Sequence, residues 1–306
     1  MKPIDNALLP QEPSPARMAA QLAALAQGEG FSPSRLPGVR FMRSTRHIPR
    51  SPIAYEPGIC LIAQGRKIGH LGDHVFRYDA RNYLVLAVPL PFECETIGTP
   101  DEPVLGLFIG VTPALVSELL LQMEQPPADP PPQAVQAASL DAGLINAAER
   151  LLDCLRTADD TKVLGPQCVR EIAYRVLRGP LGGNLRALAA PQTYFGQISR
   201  VLNRLHTDYA RPTDLESLAR EAGMSVSTFH ERFKSITASS PLQYLKAIRL
   251  HKARLMMVQD GLNASTAAHV VGYESASQFS REFKRLFGAS PAEEAARLRE
   301  AMIRVA

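Results

Sequence analysis

The sequence predicts an α+β protein: an antiparallel β part with flanking helices, then an all-α part of two helix-turn-helix units joined by a long helix. Three observations carry this. Short apolar stretches divided by Gly, Asp and Pro turns crowd residues 58–112, one pattern occurs twice between 213 and 291, and charge is shared unequally between the two parts. At 306 residues the chain has room for about two domains, placed here at 1–190 and 191–306. The net charge of +4 conceals 16 Lys+Arg against 11 Asp+Glu from Gln192 onward and 18 against 19 before it, so the basic part is the part with the repeat.

Residues 1–13, with Pro3, Pro10 and Pro13, read as a loose arm. Ser14-Pro15 opens a helix through Leu22 and Leu25 to Gln27, ended by Gly28 and Gly30. Arg35 to Pro57 is mixed, broken by prolines, and extended. The stretches ICLIAQG, KIGHLGD, HVFRYDA, YLVLAVPLPFECETIG and VLGLFIGV then read as strands of an antiparallel barrel or sandwich. Thr112-Pro113 starts a helix from Ala114 to about Glu124 with its leucines facing inward. QPPADPPPQ can be neither helix nor central strand and is a surface connector. Leu140, Leu144, Ala148, Leu151, Leu152 and Leu155 mark an amphipathic helix, and Gly165-Pro166 opens another that Gly179-Pro180 stops. GPLGGN is either a hinge between the parts or a helix end.

The repeat fixes the rest. Ser225, Ser227, Phe229, Phe233, Lys234, Ser240 and Pro241 recur fifty positions on as Ser275, Ser277, Phe279, Phe283, Lys284, Ser290 and Pro291. In the first copy a T-x-x-E box, Thr213 with Glu216, caps a helix through Leu215, Leu218, Ala219 and Ala222; Gly223 makes the turn and Ser225 caps a second helix. The second copy runs through Ala264, Ala267, Ala268 and Val271, turns at Gly272 one residue more slowly, and restarts on an S-x-x-Q cap, Ser275 with Gln278. Ser240-Pro241 with Gln243 and Ser290-Pro291 with Glu293 open the helices that follow. At about 100° per residue, Phe229, Phe233 and Ile236 share a buried face opposite Ser227, Glu231 and Lys234. Phe279, Phe283 and Leu286 likewise lie opposite Ser277, Arg281, Lys284 and Arg285. Such faces suit a major groove: Arg donates two hydrogen bonds to guanine, a carboxylate accepts from cytosine, and Lys or Ser holds phosphate.

The stretch VGYESASQFSREFKRLFGASP, preceded by AGMSVSTFHERFK and SPLQYLKAIRL, resembles the DNA-binding domain of AraC/XylS-type transcription regulators over about the last 115 residues. More diffusely, YEPGICLIAQGRKIGHLGDHVFRYDARNYLVLAVPLPFE and VREIAYRVLRGPLGGNLRAL resemble the cupin-like sensor barrel of one branch of that family. The resemblance implies two units entering adjacent major-groove segments about 34 Å apart, joined by a rigid helix from Gln243 to about Gln259 that includes Tyr244, Leu245, Ile248, Leu255 and Met256. On that helix Arg249, Lys252 and Arg254 either contact phosphate or form a solvated flank. The residues expected on DNA are Ser225, Ser227, Thr228, His230, Glu231 and Lys234, then Ser277, Gln278, Ser280, Arg281, Lys284 and Arg285, with Arg249 between them.

Catalysis has little support. His47, His70 and His74 lack the spacing of a metal-binding cupin, because residues four apart on a strand are separated by about 13 Å. No nucleophile-and-base set or phosphate loop occurs, so neither cofactor nor metal is expected. Cys60, Cys94, Cys154 and Cys168 show no C-x-x-C spacing and read as reduced, buried thiols; Cys60 or Cys94 as a redox sensor is the alternative. Gln64, Arg66 and Lys67 either line an opening for a small anion or carbonyl compound or form an exposed turn, and Gly65 between basic neighbours favours the turn. With no stretch near 18 apolar residues and no basic-then-apolar leader, a cytoplasmic protein is expected. The reading is a sequence-specific transcription regulator, by family resemblance an activator. Its expected partners are double-stranded promoter DNA, RNA polymerase, a small-molecule effector and a second copy of itself in a homodimer. An effector-independent repressor and a cupin enzyme targeted to DNA are the alternatives.

Overall fold

A computed structural model of the protein describes residues 12–124 and 132–303. The first Ser-Pro pair acts as read: the Ser14 hydroxyl accepts from the Arg17 amide, and Pro15 takes the first turn of α1 (Pro15–Leu25). Strands β1 (Gly30–Pro33), β2 (Val39–Ser44), β3 (Ile48–Tyr55), β4 (Gly58–Gln64), β5 (Arg66–Leu71), β6 (His74–Asp79), β7 (Asn82–Leu86), β8 (Leu90–Ile97) and β9 (Val104–Gly110) follow. Helix α2 (Pro113–Gln122) precedes β10 (Val135–Ser139). Among the described residues the strands form a six-stranded sheet, β1-β2-β9-β4-β7-β10, and a four-stranded sheet, β3-β8-β5-β6, with antiparallel pairings.

Burial along the strands explains their composition. β8 alternates strictly, with Leu90, Phe92, Cys94 and Thr96 buried, so only one of its faces meets the core. β4 and β9 are buried on both faces and therefore read as unbroken apolar runs. Their inner sides join Tyr55, Phe76, Tyr78, Phe92 and Phe108 between the sheets. Their outer sides pack under α1, α3 (Ala142–Cys154) and α5 (Gly165–Arg178), against Met18, Leu22, Leu151 and Ile172.

Several expectations are corrected. Leu121 of α2 is 88% exposed; Val116 and Leu119 alone of that helix are buried, because four leucines within seven residues cannot share one face. β10 and the short α4 (Ala158–Val163) were not legible, and the proline connector lies largely outside the described residues, as do residues 1–11 of the arm. GPLGGN is a helix start, not a hinge: Gly182 opens α6 (Gly182–Leu188), and a Cβ there would lie 2.3 Å from the Leu177 carbonyl oxygen. Lys67 is no part of an exposed turn. Its side chain points between the sheets and the residue is 5% exposed.

The helical part contains α7 (Tyr194–Thr207), α8 (Leu215–Glu221), α9 (Val226–Thr237), α10 (Pro241–Gln259), α11 (Ala264–Val270), α12 (Ala276–Phe287) and α13 (Pro291–Ile303). Phe229 and Phe233 of α9, with Tyr244 and Ile248 of α10, belong to the same apolar cluster as the barrel interior. The second unit has its own cluster around Phe279, Phe283 and Val271. Tyr244 fastens the parts further by donating to the Pro89 carbonyl at 2.8 Å.

Candidate nucleic-acid interface

Each helix-turn-helix begins from its caps. Thr213 does not cap α8: Asp214 does, accepting from the Ser217 amide at 2.7 Å, while the Thr213 hydroxyl turns back to the Arg211 carbonyl. The two capping frames, T-x-x-E and D-x-x-S, overlap by one residue, and the carboxylate is the stronger acceptor. Gly223 (φ +66°) and Gly272 (φ +87°) make the turns, and at Gly272 a Cβ would also meet the Ala210 carbonyl oxygen at 2.3 Å. The Ser225 hydroxyl accepts from the Thr228 amide and donates to the Thr228 hydroxyl at 2.9 Å. The Ser275 cap forms, but its box does not close, because Gln278 donates to Glu282 instead. The boxes Ser240 with Gln243 and Ser290 with Glu293 are both reciprocal.

Phe229, Phe233, Phe279 and Phe283 are fully buried, which turns the opposite faces of α9 and α12 to solvent. Ser225, Ser227, Thr228, His230, Glu231, Lys234, Ser277, Gln278, Arg281, Lys284 and Arg285 are exposed; Ser280 is half-buried. The partners of the cations sort them sharply. Arg204 pairs with Glu221, Lys246 with Glu282 and Arg254 with Glu294. Arg232 lies over the Tyr194 ring and Lys252 over Tyr209, and Arg299 donates to the Met257 carbonyl. Among the described residues from Tyr194 onward, the lysines and arginines engaged in no hydrogen bond, ion pair or ring contact are Lys234, Arg281, Lys284 and Arg285. All four stand on the outer faces of α9 and α12.

Arg249 departs from expectation. Its guanidinium donates to the carbonyls of Tyr209 (2.7 Å), Gly272 (3.1 Å) and Arg211 (3.2 Å), so it ties α10 to the entry of the first unit and the turn of the second. Arg254 is likewise directed inward, to Glu294 and to the Pro52 carbonyl of β3. Glu282, which the sequence did not single out, receives Lys246 at 2.7 Å, Tyr273 at 2.8 Å and Gln278 at 3.2 Å. Burial opposes its charge, yet these hydrogen bonds outweigh burial and hold its carboxyl below the ordinary range. It fixes α12 on α10, and nothing in the local sequence pattern hinted at this.

In the β part, His47 pairs with Glu95 at 2.8 Å, and His70 and His74 flank the β5–β6 turn. Cys60 is wholly buried, which lifts its thiol to about 12.

Residues 35–184 match the family described as the AraC-type transcriptional regulator N-terminus, and residues 218–297 match a helix-turn-helix domain. Among curated relatives, the HTH-type transcriptional regulator AlkR of Acinetobacter baylyi is 39% identical over 95 residues, 31% of either chain. The HTH-type transcriptional activator RhaS of Pectobacterium carotovorum is 29% identical over 94 residues, 31% of this chain and 34% of that one. The chain thus spans about a third of the length of these relatives. Among solved structures, apo ToxT of Vibrio cholerae superposes with a TM-score of 0.57 at 14% identity, over 88% of this chain and 98% of that one, a likeness of fold.

Proposed function

Because the chain belongs to the AraC-type transcriptional regulators, we propose that it binds promoter DNA by laying α9 and α12 in successive major-groove segments on one side of the duplex. The observation that carries this reading is the sorting of cations: every lysine or arginine left without an internal partner among the described residues of the helical part stands on those two faces. A charge held for the fold finds a partner within it, whereas a charge held for phosphate or guanine waits at the surface. In this reading Arg281 reads a base, Lys284 and Arg285 grip backbone, and Glu231 with Lys234 does both more weakly. Ser225 and Ser275 act as caps, leaving Ser227, Thr228, His230, Ser277, Gln278 and Ser280 as polar contacts.

Residues 1–190 form the sensing and dimerising part in this reading, and 191–306 the DNA-binding part. The protein acts as a cytoplasmic homodimer, activating transcription beside RNA polymerase when a small effector occupies the barrel, without catalysis of its own. Activation is supported by the function printed for RhaS, and effector response by the matched sensor family. Selection of genomic fragments on the purified full-length protein tests the core of the reading. The expected result is a shared motif of two half-sites about one helical turn apart. Recovery of fragments with no common motif would overturn it.

A further inference from the structure

The two turns of the duplicated pattern are not used alike. A Cβ at Gly223 would meet nothing within 4 Å, whereas one at Gly272 would lie 2.3 Å from the Ala210 carbonyl oxygen and 3.1 Å from the Ala210 Cα. The first glycine serves its positive φ alone; the second also lets backbone touch backbone. Ala210 belongs to the turn between α7 and α8, which the Arg211 amide closes by donating to the Asp208 carbonyl at 3.0 Å. The turn of the second unit thus rests on the segment that leads into the first. Beside it, Tyr209 alone among the described partly buried apolar residues packs against the clusters of both units, and Lys252 of α10 lies over its ring.

Arg249 spans this contact. Its Nε donates to Tyr209, one terminal nitrogen to Gly272 and the other to Arg211. A planar guanidinium presents these donors in a fixed fork, so carbonyls from two units are held at set angles; a lysine ammonium, on its flexible stem, fixes no such angle. The repeat supplies a contrast. Arg299, fifty positions on, donates to the Met257 carbonyl at 2.8 Å, near the end of α10 that leads into its own unit. Arg249 makes the matching bond, to Tyr209, and adds the one to Gly272 that crosses between units. Three residues earlier on the same flank of α10, Lys246 pairs with Glu282, which Tyr273 also reaches.

We propose that Arg249 is the positioning residue that sets the angle between the two DNA-reading helices, and through it the half-site spacing the protein accepts. α10 fixes the separation of the units along its own axis. Rotation of the second unit about that axis is what the Gly272 contact and the Arg249 fork oppose. One base pair more or less moves a half-site by about 3.4 Å and turns it by about 34°, so a small rotation of α12 relative to α9 decides which spacing fits. Arg249 does this without touching DNA. The proposal rests on the DNA reading above and names the residue that makes it selective for spacing.

The test measures binding of the full-length protein to a selected promoter fragment, to versions with one base pair added or removed between the half-sites, and to a fragment with a single half-site. Wild type should lose about tenfold for either change of spacing. Arg249→Lys, which keeps the charge and loses the fork, should narrow that loss to about threefold, with single-half-site affinity within about twofold of wild type. Arg249→Met should narrow it at least as far; should that protein not fold, the lysine variant carries the decision. Arg299→Lys, the counterpart substitution, should leave the tenfold loss in place. An Arg249→Lys protein with the wild-type spacing profile would overturn the proposal, as would equal narrowing by Arg299→Lys, since loosening either unit would then suffice. Uniform weakening that includes the single half-site would overturn it too, because Arg249 would then contact DNA itself, and a lysine variant that fails to fold would show that the residue serves the fold. Wild-type binding that ignores spacing removes only this inference, whereas absence of binding to any fragment removes the DNA reading beneath it as well.

Discussion

The two helix-turn-helix units are copies inside and different outside. Their paired phenylalanines adopt nearly one geometry, with ring centroids 5.5 Å apart in both units and interplanar angles of 58° for Phe229–Phe233 and 52° for Phe279–Phe283. What packs next differs. In the first unit Tyr244 meets Phe233 edge-on and carries the cluster into the barrel interior; in the second, Phe287 closes over Phe283 and the cluster ends there. The outer faces differ in the opposite sense, one unpartnered cation on α9 against three on α12. The duplicated pattern therefore preserves a fold while its surroundings differ: the first unit's cluster is continuous with that of the β part, and the second unit carries three of the four unpartnered cations.

The largest expected effect tests the anchoring. Phe233→Ala and Phe283→Ala each empty a fully buried ring site, at a cost of about 3–5 kcal/mol. If the clusters are distributed as described, Phe283→Ala should release amide protection in α11 to α13 while the barrel stays protected, and Phe233→Ala should lower protection in both parts. Hydrogen exchange on the two proteins reads this directly. Equal, local loss in both would show the first unit to be as separate as the second.

Next comes the charged face. Arg281→Ala should cost about 1–3 kcal/mol and relax preference at one base pair, measured by binding to a set of singly substituted sites. Lys284→Ala should weaken all sequences alike and flatten the dependence of log K on log salt. Identical behaviour of the two would mean that the face of α12 is turned differently from the reading here.

The repeat, the strands and the polar faces of α9 and α12 were legible because each is a local pattern, of period two or near 3.6, that tertiary packing reinforced. The misses are non-local. VQAAS becomes β10 only by pairing with β7, and Arg249 looked like a surface cation because its three carbonyl partners lie 23 to 40 residues away. Lys67 was hidden by its neighbours: GRKIG has hairpin composition, and only the register Lys67↔Tyr78 and Lys67↔Thr96 shows which side of β5 faces the core.

Acid offers a smaller probe of the same division. His206 of α7, a helix packed against α9, is pushed down to about 4, first by burial and then by the nearby Lys252 charge. The unfolded side chain titrates near 6.5, so between about 6.5 and 4 the unfolded state binds more protons and stability falls as pH falls. His251, buried against Phe287, is held neutral by burial and by Arg254 and acts in the same direction. From pH 7.5 to 5.0 the His206 contribution should be on the order of 1–2 kcal/mol. His206→Gln should remove that part of the pH dependence of the urea midpoint, and an unchanged pH dependence would place the acid sensitivity elsewhere.

The smallest effect is the most direct measure of how grip is shared. On α9, Glu231 stands three residues from Lys234 on the same exposed face, so that unit presents one carboxylate beside its one unpartnered cation. On α12, Lys284 and Arg285, the cations proposed to grip backbone, form no ion pair with the described residues, although, after the Ser290 hydrogen bonds, the Lys284 charge helps to lower the Glu293 carboxyl. Each phosphate contact contributes about 0.9 to the salt slope on duplex DNA. Lys234→Ala should therefore reduce the slope by about 0.9 at most, with a loss of affinity below about 1 kcal/mol at moderate salt, while the double substitution Lys284→Ala/Arg285→Ala should reduce it by about 1.8. A larger reduction from Lys234→Ala than from the pair would reverse the comparison, making the barrel-anchored unit the one that holds DNA and the separate unit the one that only reads it.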